Sequence, residues 1–336
     1  MDRLAVIILN WNGIEDTMLC FNSLLKQTVS EFKIVIIDNG SIDSSRETLE
    51  KLQKDNPDNL TVLYNPYNKG FAGGANTGIT WSIEHGFETV ALLNNDAIAD
   101  KRWIENLVKV MEDETVGIAT GLLLTSDGKK IDSTGEQYSK WGLSFPRNRG
   151  QPGKSAHTSG YTFGATGGAS LYRTALLRDI GLFDETFFAY YEDVDISFRA
   201  QLAGWKVSYT SEAIAYHQQG ATSSKLPGFT VYQTFKNLPL IYIKNVPGSL
   251  LFSVGIRFWF AYVMMLGHAI KKGNSIPALK GYIKSIVLFW GHALPARYNI
   301  QTGKKVETSY IRELLWPDLP PDQTGLRKVR RFFIGK

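Results

Sequence analysis

Three carboxylates, Glu192, Asp193 and Asp195, fall within four positions of "FFAYYEDVDISFR" (Phe187–Arg199), directly after an almost wholly aromatic run. Buried carboxylates are costly unless paired or metal-bound. Like charges this close also raise one another's pKa. Proton transfer, an ion-paired scaffold, or acids gathered at the positive end of a helix would each use such a cluster. Asp195 and Arg199 stand at i and i+4, the spacing of an ion pair on one helix face. Four further polar clusters punctuate the first hundred residues: "NWNG" (Asn10–Gly13), "DNGSID" (Asp38–Asp43), "NPYNKGFAGGAN" (Asn65–Asn76) and "NNDA" (Asn94–Ala97).

The elements that must carry these clusters can be read from the apolar runs before them. Leu4–Leu9, Phe32–Asp38, "LTVLYN" and Thr89–Asn94 are short, nearly continuous apolar stretches, as buried parallel strands require. Helical spacing separates them at Glu15–Gln27, Ser44–Lys54 and Gly73–His85. Repeated strand–helix–strand units predict an α/β fold with a mostly parallel, doubly wound sheet. All four polar clusters then fall at the carboxyl edge of that sheet, where such folds bind ligands. One cluster would be ordinary turn chemistry; four in register point to a nucleotide site. The G-x-x-x-x-G-K-[ST] loop is absent, and strand one does not open into G-x-G-x-x-G, which argues against a P-loop enzyme or a dinucleotide oxidoreductase.

The chain has 336 residues, enough for one large domain or two modest ones. At 43% apolar and 21% charged it is globular, not disordered. A single cysteine, Cys20, excludes an internal disulfide and suits a reducing compartment. The N-terminal apolar run is too short for a secretory signal, so the expected location is cytoplasmic. The net charge of +5 is uneven: residues 1–224 balance at −8 and residues 225–336 at +13. This asymmetry suggests two parts with different partners, 1–224 and 225–336.

Taken in order, "NWN", "DNGSID", "NKGFAGGAN", "LLNNDA" and "FDETFFAYYEDVDISFRAQLAGW…H" resemble the inverting glycosyltransferases of family 2, over about residues 3–220. The likeness is greatest to the branch with bacterial rhamnosyltransferases of cell-surface polysaccharide assembly. It implies the GT-A fold, a Rossmann-like sheet flanked by helices, and a nucleotide-diphosphate sugar donor. Under this resemblance Asp38 accepts a hydrogen bond from the ring N–H of uracil or thymine, and Asn10, Asn12 and Asn39 line the nucleoside pocket. Gly70, Gly73 and Gly74 let backbone approach the nucleotide, and Asn76 begins the helix behind it. For Asn12 and Asn76 a turn or cap role stays open.

Asp96 resembles the last acid of the family's Asp-x-Asp motif, which holds Mg²⁺ or Mn²⁺ on the donor diphosphate. Here the triplet is Asn94-Asn95-Asp96, so an earlier acid is missing. His217, 24 residues beyond Asp193, resembles a histidine that completes the metal site in relatives; a structural histidine is the alternative. Asp193 resembles the catalytic base, with Glu192 beside it, and the aromatic run would wall the acceptor pocket. Gly135–Ala165 reads as acceptor-facing loops with room for a hairpin, and the glycines of "GATGGAS" (Gly164–Ser170) resemble those that face the donor sugar.

The back part carries an apolar stretch at Leu250–Ile270, a shorter one at Tyr282–Leu294, and the basic tail "LRKVRRFFIGK". These predict helices lying in a membrane interface, with a helical subdomain, a homo-oligomer contact or a true span as alternatives. The expected location is therefore peripheral, on the cytoplasmic face of the membrane, and the expected acceptor a saccharide or polyprenyl-linked saccharide. No nucleic-acid module is visible. A sugar-nucleotide nucleotidyltransferase should carry a basic Gly-rich loop after strand one, and a non-catalytic nucleotide-sugar binder should have lost its acids; neither pattern is present.

Overall fold

A computed structural model describes residues 3–155, 158–218 and 226–321, with 323, 325 and 327. The first half alternates β1 (Leu4–Asn10), α1 (Ile14–Leu24), β2 (Phe32–Asp38), α2 (Ser45–Asp55), β3 (Leu60–Tyr64), α3 (Gly70–Glu84) and β4 (Thr89–Asn94). β5 (Ala97–Ala99), α4 (Trp103–Val110), β6 (Val116–Thr125), β7 (Ile131–Ser133), β8 (Glu136–Tyr138), β9 (Ser144–Pro146) and β10 (Gly160–Thr162) follow. Then come β11 (Ala169–Arg173), α5 (Thr174–Ile180), α6 (Glu192–Leu202) and β12 (Lys206–His217). The back part is helical: α7 (Phe229–Asn245), α8 (Gly248–Lys271), α9 (Ser275–Leu288), a π-turn at Phe289–Ala293, α10 (Leu294–Thr302) and α11 (Thr308–Leu314).

The main sheet runs β10-β12-β6-β11-β4-β1-β2-β3, with β5 on β12 and β7 on β6. β1, β2, β3 and β4 pair in parallel, and β12 pairs in parallel with β6. β11 is inserted antiparallel between β4 and β6. The parallel strands are apolar on both faces because helices cover both; Val6, Ile8, Ile34 and Ile36 pack on one side, Ile7, Val35 and Ile37 on the other. Each such side chain contributes about 2 kcal/mol by leaving water. In-register pairing brings Asn10 beside Asp38, and Leu9 beside Asn94, so the polar ends of three strands converge.

The helix expected from Gly73 begins three residues earlier, at Gly70. The cause is close packing. A side chain on Gly74 would strike Leu9 of β1, and one on Gly70, at φ 72°, would strike the Phe188 carbonyl. Asn76 therefore lies in the second turn of α3 and does not begin it.

The helical part is not a separate body. One apolar cluster joins Tyr138, Phe163, Phe187, Val194 and Phe198 to Phe235, Ile241, Phe258 and Tyr262. The expected boundary at 224/225 and most of the basic tail lie outside the described residues. Leu250–Ile270 falls within α8, and Tyr282–Leu294 is broken by the π-turn.

Candidate active site

A cleft of about 650 Å³ opens at the carboxyl edge of the sheet. Its wall is the aromatic turn before α6. Phe188, Tyr190 and Tyr191 all hold positive φ (62°, 68° and 73°), a conformation that bulky L-residues avoid. Such strain persists only where the surroundings hold it, and here α7 does so. Asn237 Nδ2 donates to the carbonyls of Phe187, Ala189 and Tyr190 at 3.1, 3.0 and 2.7 Å. Lys236 Nζ donates to those of Thr186 and Phe187 at 2.9 and 3.1 Å.

This turn delivers Glu192 and Asp193 to the cleft. Asp193 is pinned: Oδ2 accepts from Gly167 N (2.9 Å) and Oδ1 from Val194 N (2.8 Å). Burial raises its pKa, while these backbone donors oppose the rise. Glu192 is pushed up to about 8 by burial and by Asp193, and its Oε2 is buried without a hydrogen-bond partner among the described residues. Burial thus disfavours charge on both, while backbone donors favour it on Asp193. Asp195 faces away from the cleft. It forms the expected ion pair with Arg199 (2.9 Å), accepts from Asn245 (2.8 Å) and meets Lys244 (2.8 Å). Lys244 also pairs with Asp184, which receives His292 Nε2 at 2.6 Å. Burial opposes charge on Asp195, but Lys244 and Arg199 hold it below the usual carboxylate range.

Asp96 and His217 are 121 positions apart in sequence, yet β5 pairs with β12 so that Ala97 sits opposite His217. Asp96 Oδ1 and His217 Nε2 are 3.1 Å apart. His217 Nδ1 is held by Asp132 Oδ2 at 2.7 Å. Asp132 reaches it from a bulge, being the extra residue of β7 between the pairs Ile131–Leu124 and Ser133–Leu123. Burial works against charge on His217, but the hydrogen bonds to Asp132 and Asp96 outweigh it and raise its pKa to about 9.

The remaining expected residues divide between the cleft and its supports. Asn39, Gly70 and Asn95 border the cleft. Asn10 and Asp38 lie buried beneath it; Asn10 Nδ2 donates to Asp38 Oδ1 at 3.1 Å, and among the described residues Asp38 Oδ2 accepts no hydrogen bond. Asn12 braces a loop by accepting from Ile42 N at 2.9 Å. Gly73 and Gly74 face Lys69, Glu185 and Leu9, so they serve helix packing and do not open a ligand surface. Asn76 fastens α3 to the 183–185 segment, donating to Phe183 O (2.8 Å) and Glu185 Oε1 (3.0 Å).

Trp11, Asp132, Glu136 and Arg149 also border the cleft and were not singled out by sequence. Arg149 pairs with Asp132 at 2.8 Å. Burial, then Asp193, raises the pKa of Glu136 well above its ordinary value. Trp11 lies within the "NWNG" cluster that marked Asn10 and Asn12, whereas Asp132, Glu136 and Arg149 come from a bulge, a hairpin strand and the turn after that hairpin, where polar residues are ordinary turn chemistry.

The sequence pattern of Glycosyl transferase family 2 matches residues 5–181, just over half of the chain. The low-salt glycan biosynthesis hexosyltransferase Agl10 of Haloferax volcanii is 25% identical over 239 residues, covering 70% of this chain and 74% of that protein. The O-antigen chain rhamnosyltransferase RfbN of Salmonella typhimurium is 22% identical over 223 residues, covering 66% and 68%. Among solved structures, GalNAc-T7 with UDP, GalNAc and Mn²⁺ superposes with a TM-score of 0.60 at 18% identity, over 73% of this chain and 48% of its own. This chain thus spans about half the length of GalNAc-T7, and the likeness carries the GT-A-like fold. On the extent of the family match, the chain belongs to glycosyl transferase family 2.

Proposed function

We propose that this chain transfers a sugar, with inversion, from a nucleoside-diphosphate donor to a hydroxyl of a saccharide or polyprenyl-linked saccharide in cell-surface glycan assembly. The observation that carries the reading is the pinned Asp193 carboxylate in the same cleft as the Asp96–His217 pair. Asp193 takes the proton of the acceptor hydroxyl as its oxygen attacks the anomeric carbon and the bond to the diphosphate breaks. Attack from the face opposite the leaving group inverts that centre. The aromatic turn excludes water that would otherwise hydrolyse the donor.

The Asp96–His217 pair fits a divalent cation, Mg²⁺ or Mn²⁺. Ligands about 2.1 Å from an octahedral ion and at right angles to each other lie about 3 Å apart, and Oδ1 and Nε2 are 3.1 Å apart. The hydrogen bond from His217 Nδ1 to Asp132 orients the imidazole for that task. Among the described residues no group of three such side chains is gathered, so the diphosphate and water would complete the shell. Bound there, the ion would offset charge on the departing diphosphate. Calorimetric titration of Mn²⁺ into protein with UDP should show binding that Asp96→Ala and His217→Ala each weaken. An unchanged titration in both variants rejects the site.

For the donor we propose a thymidine or uridine diphosphate sugar, with dTDP-L-rhamnose foremost. The similarity to a rhamnosyltransferase supports the sugar, and Asp38 Oδ2, which accepts no hydrogen bond among the described residues, supports a ring N–H partner. Measuring donor hydrolysis and product formation across a panel of nucleotide sugars tests this. Tighter binding of GDP than of both UDP and dTDP would overturn it.

A further inference from the structure

Helices α8 and α9 bury one face each and leave the other bare. Phe258 of α8 stacks on Tyr242 of α7, and Tyr262 meets Phe235 edge to face, with ring centroids 4.9 and 5.1 Å apart. Gly281 of α9 presses on the backbone of Tyr232. Outward from α7, Phe252 (80% exposed), Ile256, Phe260 and Val263 form a stripe along α8. Ile276, Ile283 and Val287 of α9, with Trp290 (72% exposed) of the π-turn after it, form a second. Apolar surface on this scale marks an interaction site.

The charge around the stripes identifies the partner. Residues 225–306 contain no Asp or Glu. Lys280 and Lys284 flank the α9 stripe, and Lys271 and Lys272 close the end of α8, all exposed. A second copy docking by two-fold symmetry would set these lysines against lysines with no carboxylate between them. An acidic, partly apolar surface is what they fit. Trp259 and Trp290 suit the headgroup layer, where an indole can be half in water.

We infer that the α8–α9 face binds an anionic lipid surface, with both helices lying flat in the interface and the protein peripheral on the cytoplasmic leaflet. α8 has 24 residues, enough to cross a bilayer. To do so it would have to withdraw Phe258 and Tyr262 from α7 and carry Arg257 into the hydrocarbon. The active cleft stays beside this surface. Pro277, near the start of α9, packs against Gly228, one residue before Phe229 on the cleft's rim. An acceptor anchored in the lipid would thus meet the cleft without leaving the membrane plane.

The test is co-sedimentation of the full chain with vesicles of phosphatidylcholine, alone or mixed with phosphatidylglycerol. Binding should require phosphatidylglycerol at low salt and weaken, without vanishing, at high salt. Lys280→Gln with Lys284→Gln should lower partitioning by roughly tenfold or more. Ile283→Ser with Val287→Ser should lower it further, with circular dichroism and donor hydrolysis unchanged. No binding of folded protein to anionic vesicles at low salt overturns the inference. So does concentration-dependent dimerisation that the serine variants abolish, which would assign the face to a second copy. Resistance to an alkaline wash would also overturn it, in favour of a span. Donor hydrolysis in vesicle-free solution reports on the transfer reading separately.

Discussion

Replacing Asn237 by Leu removes the donor that holds the strained turn, at nearly constant volume. Asn237 is fully buried, and its amide nitrogen serves three carbonyls. With two hydrogens it makes the equivalent of two full bonds. Leaving two buried carbonyls unsatisfied costs about 2–5 kcal/mol. The three left-handed residues store strain of about 1–3 kcal/mol each. With Lys236 still bonded to Thr186 and Phe187, loss of the Asn237 half of the clamp is enough to let at least one of them relax. Any relaxation moves Glu192 and Asp193, which follow directly, and a displacement near 1 Å costs about 10²-fold in rate. Unfolding entropy scales with length, so a loss of about 3 kcal/mol lowers the unfolding temperature by about 4 °C in a chain of this size. The assay is turnover per folded molecule beside a calorimetric melt. Normal turnover in a variant that melts several degrees lower would refute the catalytic part, leaving Asn237 a structural fastener. Normal turnover at an unchanged melting temperature would refute the strain argument altogether.

Asp193→Asn keeps shape but removes proton acceptance. Turnover should fall at least ~10²-fold while calorimetry shows donor binding retained, and near-normal turnover would move the role to Glu192. Glu192 has a folded pKa of about 8 against an ordinary 4.5, so the folded state favours its protonated form. That stabilisation is complete below about pH 4.5 and is lost as pH rises through about 8. Glu192→Gln should flatten this part of the stability–pH curve, and an unchanged slope in urea melts would reject the assignment. Lys244→Met leaves Asp184 and Asp195 facing each other without their shared cation. It should destabilise by about 3–5 kcal/mol, and denaturant melts matching the parent would show that Arg199 and His292 suffice.

The strands were legible because each combines a continuous apolar run with an abrupt polar end. Phe32–Asp38 and Thr89–Asn94 begin and end where the sequence places them. The start of α3 was not legible, because "GFAGGAN" reads as loop by intrinsic propensity. Its glycines form helix because only a bare backbone can press so near Leu9 and Phe188. The Asp195–Arg199 pair could be read from spacing alone, since four residues on a helix face fix the geometry. Asp132 could not, because its place depends on a bulge in a three-residue strand. The clamp from Lys236 and Asn237 depends on how α7 docks, which no local pattern encodes.

That clamp also constrains how such chains can be recombined. The strained turn and the helix that holds it are separated in sequence by β12, yet neither satisfies its polar groups without the other. A chimaera that takes everything after residue 218 from a relative would pair the turn's carbonyls with foreign donors. It would also set Asp184 and Asp195 against a foreign Lys244 position. Any exchangeable cassette is therefore discontinuous: residues 182–202 must travel at least with 229–301. Crossovers between those segments should yield soluble but inactive hybrids, and moving both together should restore turnover.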